Sequence, residues 1–154
     1  MYRVNRKICL VCSSGGHLFS MYLLQDAWSN YERIWITHKS TDTDYFLSNE
    51  KVYHAYYPTD RNIGNFFRNL YLAFKVLRKE RPAVILSTGA GVSVPFIYAG
   101  WILGIKTIFV ETMTRVQDLS LSGKLIYPVV EFIYVQYPEL AARYRKAQYK
   151  GQYV

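Results

Sequence analysis

Acidic side chains are scarce in this 154-residue chain: 11 Asp and Glu stand against 19 Lys and Arg, a formal net charge of +8. Such an excess favours an anionic partner, whether nucleic acid, phosphorylated ligand or acidic membrane. Between residues 61 and 81, Glu80 is the lone acid beside Arg61, Arg68, Lys75, Arg78, Lys79 and Arg81. After Leu140, the cations Arg143, Arg145, Lys146 and Lys150 have no acid beside them. Cysteine is nearly absent, with only Cys9 and Cys12, in C-L-V-C. Side chains three apart in a strand point to opposite faces, so a redox pair or zinc site is disfavoured and two buried thiols in a reducing compartment are expected. No internal repeat, low-complexity tract or linker interrupts the chain, and the polar M-Y-R-V-N-R-K start with its short following apolar run does not read as a signal peptide.

What is present is apolar and aromatic residue, 51% and 17% of the chain, enough to fold rather than stay disordered. The length suits one domain, 1–154, with 141–154 as a basic tail, and falls short of two full lobes. Apolar runs near 7–12, 33–37, 52–57, 83–87, 106–111 and 132–136 alternate with helical spacings, the pattern of an α/β domain with a mainly parallel sheet. Leu18, Met21, Leu24 and Trp28 mark one face of a first helix, and Pro138 suits the first turn of the last.

Residues 83–105 carry no charge, and a run of that length would span a bilayer. Its four glycines, its proline and the turn-like S-T-G-A-G instead predict a buried strand, a tight turn and a buried helix.

Two glycine turns carry the chemistry. The first, Ser13, Ser14, Gly15, Gly16 and His17, follows a strand and opens a helix, where free backbone N–H groups and the helix dipole favour an anion. The second, Ser87, Thr88, Gly89, Ala90 and Gly91, repeats the arrangement, and in an open parallel sheet both would lie on one edge, able to grip two phosphates of one ligand. For both, an ordinary tight βα turn is the competing reading. The first turn lacks the lysine of a G-x-x-x-x-G-K-[ST] loop and the third glycine of a dinucleotide fingerprint, and the second strand runs into Thr37, His38 and Lys39 rather than a ribose-binding acid. Nucleoside triphosphate hydrolysis and nicotinamide chemistry are therefore disfavoured. At the same edge, V-E-T-M-T-R offers Glu111, Thr112 and Arg115, with Glu111 either a base, a holder of a sugar hydroxyl or a helix-capping acid.

Residues 63–81 form a basic, aromatic helix. Ile63, Phe66, Phe67, Leu70, Phe74 and Leu77 share an apolar face, with Arg68, Lys75 and Lys79 aligned on another and Arg78 beside them. It reads as a membrane-lying helix or as a core-packed one with a solvated basic flank.

In combination, S-S-G-G-H-L, S-T-G-A-G-V-S-V-P and E-T-M-T-R-V-Q-D-L-S-L-S-G-K-L-I-Y-P followed by Y-V-Q-Y-P-E-L strongly resemble the PssD/CpsF family of bacterial exopolysaccharide and capsule proteins, over roughly residues 7–140. That family is similar to the membrane-recruiting subunit of the eukaryotic dolichyl-pyrophosphate N-acetylglucosamine transferase and, more distantly, to the amino-terminal lobe of MurG. The resemblance implies a single Rossmann-like domain equivalent to the acceptor lobe of a GT-B glycosyltransferase. It implies a hexosyltransferase subunit active with a partner chain that carries the nucleotide-sugar lobe and binds the UDP-sugar, so no cofactor or metal is expected on this chain.

The implied acceptor is a sugar on a polyprenyl pyrophosphate, its phosphates held by Ser13, Ser14, Gly15, Gly16, Thr88, Gly89, Ala90 and Gly91. His17 is base or phosphate clamp, Glu111 is the fallback base, and Thr112 and Arg115 meet acceptor or partner. Unlike the eukaryotic relatives, the sequence shows no amino-terminal hydrophobic anchor, which shifts membrane contact to Phe66, Phe67, Arg68, Lys75, Arg78 and Lys79 and implies a cytoplasmic protein peripheral on the inner face of the cell membrane. A stand-alone nucleotide-binding or regulatory protein is the alternative. No nucleic-acid motif accompanies the basic helix, so no nucleic-acid partner is expected. The tail from Arg143 onward is either a partner contact or a frayed end.

Overall fold

The computed structural model describes residues 7–153; residues 1–6, on which the leader reading rests, and Val154 lie outside it. Chain order is β1 (Ile8–Cys12), α1 (Gly16–Leu23), α2 (Gln25–Trp28), β2 (Arg33–Thr37), α3 (Thr41–Phe46), β3 (Val52–His54), α4 (Ile63–Glu80), β4 (Val84–Gly89), α5 (Ser93–Ile102), β5 (Lys106–Val110), α6 (Leu121–Ile126), β6 (Phe132–Tyr134), α7 (Pro138–Arg143) and β7 (Ala147–Gln148). The seven strands form one sheet in the order β3-β2-β1-β4-β5-β6-β7, and every pairing is parallel. The expected α/β domain is therefore present, with a sheet wholly rather than mainly parallel.

A parallel sheet buried on both faces reads as continuous apolar strands, and β1, β2 and β4 do so. Cys9, Val11, Ile34, Ile36 and Ile85 meet α4 and α5 on one face, through Ala73, Val76, Leu77, Phe96 and Ala99. Leu10, Cys12, Trp35, Leu86 and Val110 lie on the other, where Leu18, Met21 and Trp28 from α1 and α2 cover part of it. Cys9 and Cys12 thus sit on opposite faces, free and fully buried, and burial pushes both thiols up.

The charge-free run is β4, a turn and α5, and no helix among the described residues is long and apolar enough to cross a membrane. α5 lies hard against the sheet because Gly100 leaves no side chain there; a Cβ would collide with Ile85 Cδ1. The expected first helix is broken: α1 ends at Leu23, and the Leu24 N–H bonds the Met21 carbonyl at 3.1 Å before α2 begins. The bend lets the Trp28 indole donate to that same carbonyl at 2.9 Å.

The tail is not a frayed end. β7 adds a seventh strand to β6, and beyond it Tyr153 is anchored by its hydroxyl to Ser20 (3.0 Å) and by its N–H to Gln136 (3.1 Å). Alternation over two residues is too short to be seen in a sequence.

At the opposite end of α4, Glu80 is a buried carboxylate that accepts from Lys7 Nζ at 3.0 Å, from Lys51 Nζ at 2.6 Å and from the Tyr53 hydroxyl. Its partners come from the start of β1 and from β3, so it ties α4 to two strands. The Lys51 ammonium, with Tyr53 and Lys7, holds its carboxyl down to about 2. A carboxyl depressed below its unfolded value stabilises the fold fully above that value and ceases to do so as pH falls through the folded one. Glu80→Gln is expected to lower unfolding free energy by about 2 to 3 kcal/mol at neutral pH. The gap from wild type, measured by denaturant titration, closes as pH drops from above 4.5 towards 2; a gap independent of pH contradicts the assignment.

Candidate functional site

The strand order reverses between β1 and β4, and in open parallel sheets the crevice at such a reversal is where ligands bind. Both glycine turns spring from these two strands. They are stitched together: Ser13 N–H donates to the Gly89 carbonyl at 2.9 Å, and Ala90 N–H donates to Ser13 Oγ at 3.2 Å. Thr88 Oγ1 donates to the His17 carbonyl at 2.7 Å, and His17 Nδ1 lies 2.8 Å from the Thr88 carbonyl. A carbonyl only accepts, so Nδ1 carries a proton, and in the neutral imidazole Nε2 is the nitrogen with the lone pair. Gly89 has φ +105°, and a Cβ there would fall 2.8 Å from His17 Nδ1. Glycine is required at this point both for the backbone and for the imidazole.

Several of the expected phosphate ligands are already engaged. Gly15 N–H donates to Asp42 Oδ2 at 2.6 Å, which puts a carboxylate where an anionic ligand was expected. Burial opposes that charge, but hydrogen bonds from Ser40, Gly15 and Thr43 outweigh it and hold the Asp42 carboxyl below its usual range. Ser14 Oγ pairs with His38 Nε2 at 2.8 Å, and the His38 ring stacks on Tyr57 with centroids 4.5 Å apart. Burial lowers the His38 pKa, with Asp42 opposing, so its ring favours the neutral form. Ser13 and Ala90 bind each other, and Thr88 is buried. What remains open to a ligand in the first turn is the start of α1, where Gly16 and His17 contribute N–H groups that no intrahelical carbonyl can reach.

Glu111 follows β5 at the same edge, but it is 1% exposed and heavily bonded. Oε1 accepts from Thr112 N–H at 3.0 Å, and Oε2 accepts from both the N–H and the hydroxyl of Ser120 at 2.9 Å. Ser120 in turn caps α6 by accepting from Gly123 N–H at 3.1 Å, and a Cβ on Gly123 would lie 2.6 Å from Glu111 Oε2. This is an acid that organises a helix start through an intermediary serine, close to the capping role open to it in the sequence.

A cavity of about 950 Å³ unites these parts. Its polar floor includes Gly16, His17, Gly89, Ala90 and Gly91, and Thr112, Arg115 and Ser120 line another side. Phe66, Val94, Tyr98, Phe109, Leu121 and Leu125 give it an apolar wall. Thr59, Asp60, Arg61 and Asn62, from the segment before α4, form a further wall that sequence reasoning did not identify. Thr59 packs close against Gly91, where a Cβ would meet its side chain at 3.1 Å. The available signal was Asn65 and Asn69, polar residues at helical spacing on what proves to be a buried face, preceded by Asn62 at the helix N-cap.

The face of α4 is thus rotated from expectation. Asn65, Asn69, Ala73, Val76, Leu77 and Glu80 are buried, whereas Ile63, Phe67 and Tyr71 are exposed with Arg68, Lys75, Arg78 and Lys79. Phe66, expected to face a membrane, is half-buried in the cavity wall and packs edge-on against Phe67. The asparagines explain the rotation: with hydrogen-bond partners in the preceding segment they can be buried, which leaves the large aromatics outside.

The sequence matches the family described as Oligosaccharide biosynthesis protein Alg14 like over residues 50–153. It is 27% identical to the UDP-N-acetylglucosamine transferase subunit ALG14 of Homo sapiens, across 99% of this chain and 85% of that one. It is 28% identical to the subunit of the same name from Yarrowia lipolytica, across 96% and 81%. Among solved structures, the fold is similar to Acinetobacter baumannii MurG, with a TM-score of 0.72 and 15% identity over 88% of this chain and 43% of that one. It is also similar to S. aureus MnaA in its UDP co-structure, with a TM-score of 0.75 and 13% identity over 96% and 44%. The chain therefore spans less than half of these two proteins and has the fold of their amino-terminal lobe. By its sequence, the chain belongs to the Alg14-like family of oligosaccharide biosynthesis proteins.

Proposed function

We propose that this chain is the acceptor-binding, membrane-recruiting subunit of a two-chain glycosyltransferase. It transfers a sugar from a UDP-sugar to a sugar carried on a polyprenyl pyrophosphate, with the UDP-sugar held by the nucleotide-sugar lobe of a partner chain. The name "transferase subunit" borne by relatives supports the two-chain reading, since this chain spans 75 to 85% of three of them. The motif resemblance to PssD/CpsF proteins supports a setting in bacterial exopolysaccharide or capsule synthesis.

The carrying observation is the two-ended cavity. A lipid pyrophosphate needs hydrogen-bond donors and cations beside an apolar wall, and the cavity places the start of α1, Gly91, Arg61 and Arg115 beside Phe66, Tyr98 and Leu125. The same helix α4 that contributes Phe66 exposes Phe67, Tyr71, Arg68, Lys75, Arg78 and Lys79, a surface suited to an anionic bilayer at the cytoplasmic face.

In the transfer, the acceptor oxygen forms a bond to the anomeric carbon of the donor as the bond to UDP breaks and UDP leaves. The hydroxyl proton passes to Nε2 of the neutral His17 imidazole, the nitrogen left as acceptor when Nδ1–H donates to the Thr88 carbonyl. Glu111, buried and saturated with donors, keeps the α6 wall in place rather than taking the proton.

In the two-chain enzyme, His17→Gln is expected to lower kcat by about 100- to 10,000-fold with little change in acceptor KM. A raised KM with kcat preserved would instead make His17 a phosphate clamp. For the membrane face, each cation near an anionic surface is worth about 1 kcal/mol, so the triple change Lys75→Gln, Arg78→Gln and Lys79→Gln is expected to weaken sedimentation with phosphatidylglycerol vesicles about 100-fold. Added salt should release the wild-type chain. Unchanged vesicle binding by the triple variant rejects α4 as the membrane surface.

A further inference from the structure

The segment between β3 and α4 is held with unusual care for a surface loop. Asn69, 1% exposed, accepts from Tyr56 N–H at 2.8 Å and donates back to the Tyr56 carbonyl at 3.0 Å. Asn65, also buried, donates to the Pro58 carbonyl at 2.8 Å, and its N–H donates to Asn62 Oδ1 at 2.9 Å. Alanine or leucine would pack these helix positions without needing buried hydrogen bonds, so the asparagines serve the loop rather than the helix. What the clamps deliver to the cavity is Arg61.

Three observations meet at this residue. Arg61 holds φ +51°, a backbone conformation that among the described residues only one other non-glycine shares, Arg81, which is the C-cap of α4. Arg61 terminates no helix, so capping does not account for it. No carboxylate among the described residues pairs with Arg61 or with Arg115, the other arginine lining the cavity. Finally, Asp42 occupies the Gly15 N–H and brings negative charge to the first turn, so an anion in the cavity needs its positive charge from elsewhere.

We infer that Arg61 is a diphosphate ligand of this cavity, presented by the Asn65 and Asn69 clamps and acting with Arg115 from another wall. A guanidinium presents a rigid fork of donors that matches two phosphate oxygens at once, and it stays charged at any physiological pH. The inference rests on the acceptor-pyrophosphate reading above and extends it to the β3–α4 segment. The Asn69 clamp is a positioning element, since it reaches the ligand only through the loop.

Geranyl pyrophosphate, soluble without a bilayer, is the probe, with geraniol as the control lacking phosphate; this separates cavity binding from adsorption of α4 to lipid. Calorimetry on the full chain is expected to show binding of the pyrophosphate, about 10- to 100-fold weaker in Arg61→Gln and partly restored in Arg61→Lys, which keeps the charge. Because Arg61 is exposed, the thermal midpoint of Arg61→Gln should match wild type. Asn69→Ala should weaken binding as well, and faster hydrogen exchange at Tyr56 would report the released loop. If wild type binds and Arg61→Gln binds equally well, the inference is overturned while the acceptor reading stands. If wild type binds no pyrophosphate, the acceptor reading falls and takes the inference with it.

Discussion

The hydrogen bonds that join the turns after β1 and β4 are the constraint on which the rest of the site depends. Ser13 bridges to Gly89 and Ala90, and Thr88 and His17 exchange a pair of bonds through one side chain and one carbonyl each. These contacts span the one place in the sheet where strand order reverses, so two crossovers that leave in opposite directions are held at a fixed separation. They also fix which imidazole nitrogen is protonated. Gly89 can be nothing larger, because its missing side chain is the space occupied by the His17 ring.

Around this seam the polypeptide builds walls by a repeated device, a buried polar residue that captures loop backbone. Asn65 and Asn69 do this for the segment before α4, and Glu111 does it for Ser120 at the start of α6. Asn65, Asn69 and Glu111 are all hydrogen-bonded to the loop each one holds, which turns their desolvation cost into a requirement for one loop geometry. Glu80 works by the same logic at the far end of α4, where it binds strands instead of a ligand wall. α4 is therefore anchored at both ends by polar contacts, and this frees its aromatic and basic side to face outward.

Much of this was legible in the sequence. Continuous apolar strands alternating with helical spacings gave six of the seven strands, and the glycine turns marked the sheet edge because tight βα turns and anion-binding helix starts need the same residue type. β7 was hidden because two residues carry no period, and the bend at Leu24 because leucine signals nothing about a helix end. The orientation of α4 differs from the sequence expectation for a physical reason: Phe66, Phe67 and Phe74 outweigh asparagine on any apolar scale, yet Asn65 and Asn69 find partners in the loop and are buried. Asp42 was likewise invisible, since nothing local to S-S-G-G-H announces a carboxylate arriving from α3.

In the proposed enzyme the cavity holds a lipid-linked acceptor while a second chain supplies the sugar donor. The most direct measurement is transfer from radiolabelled UDP-sugars to polyprenyl-pyrophosphate-linked sugars in vesicles, with this chain alone, the chain carrying the nucleotide-sugar lobe alone, and both together. Labelled lipid is expected only when both are present. Robust transfer by this chain by itself would contradict the two-chain reading.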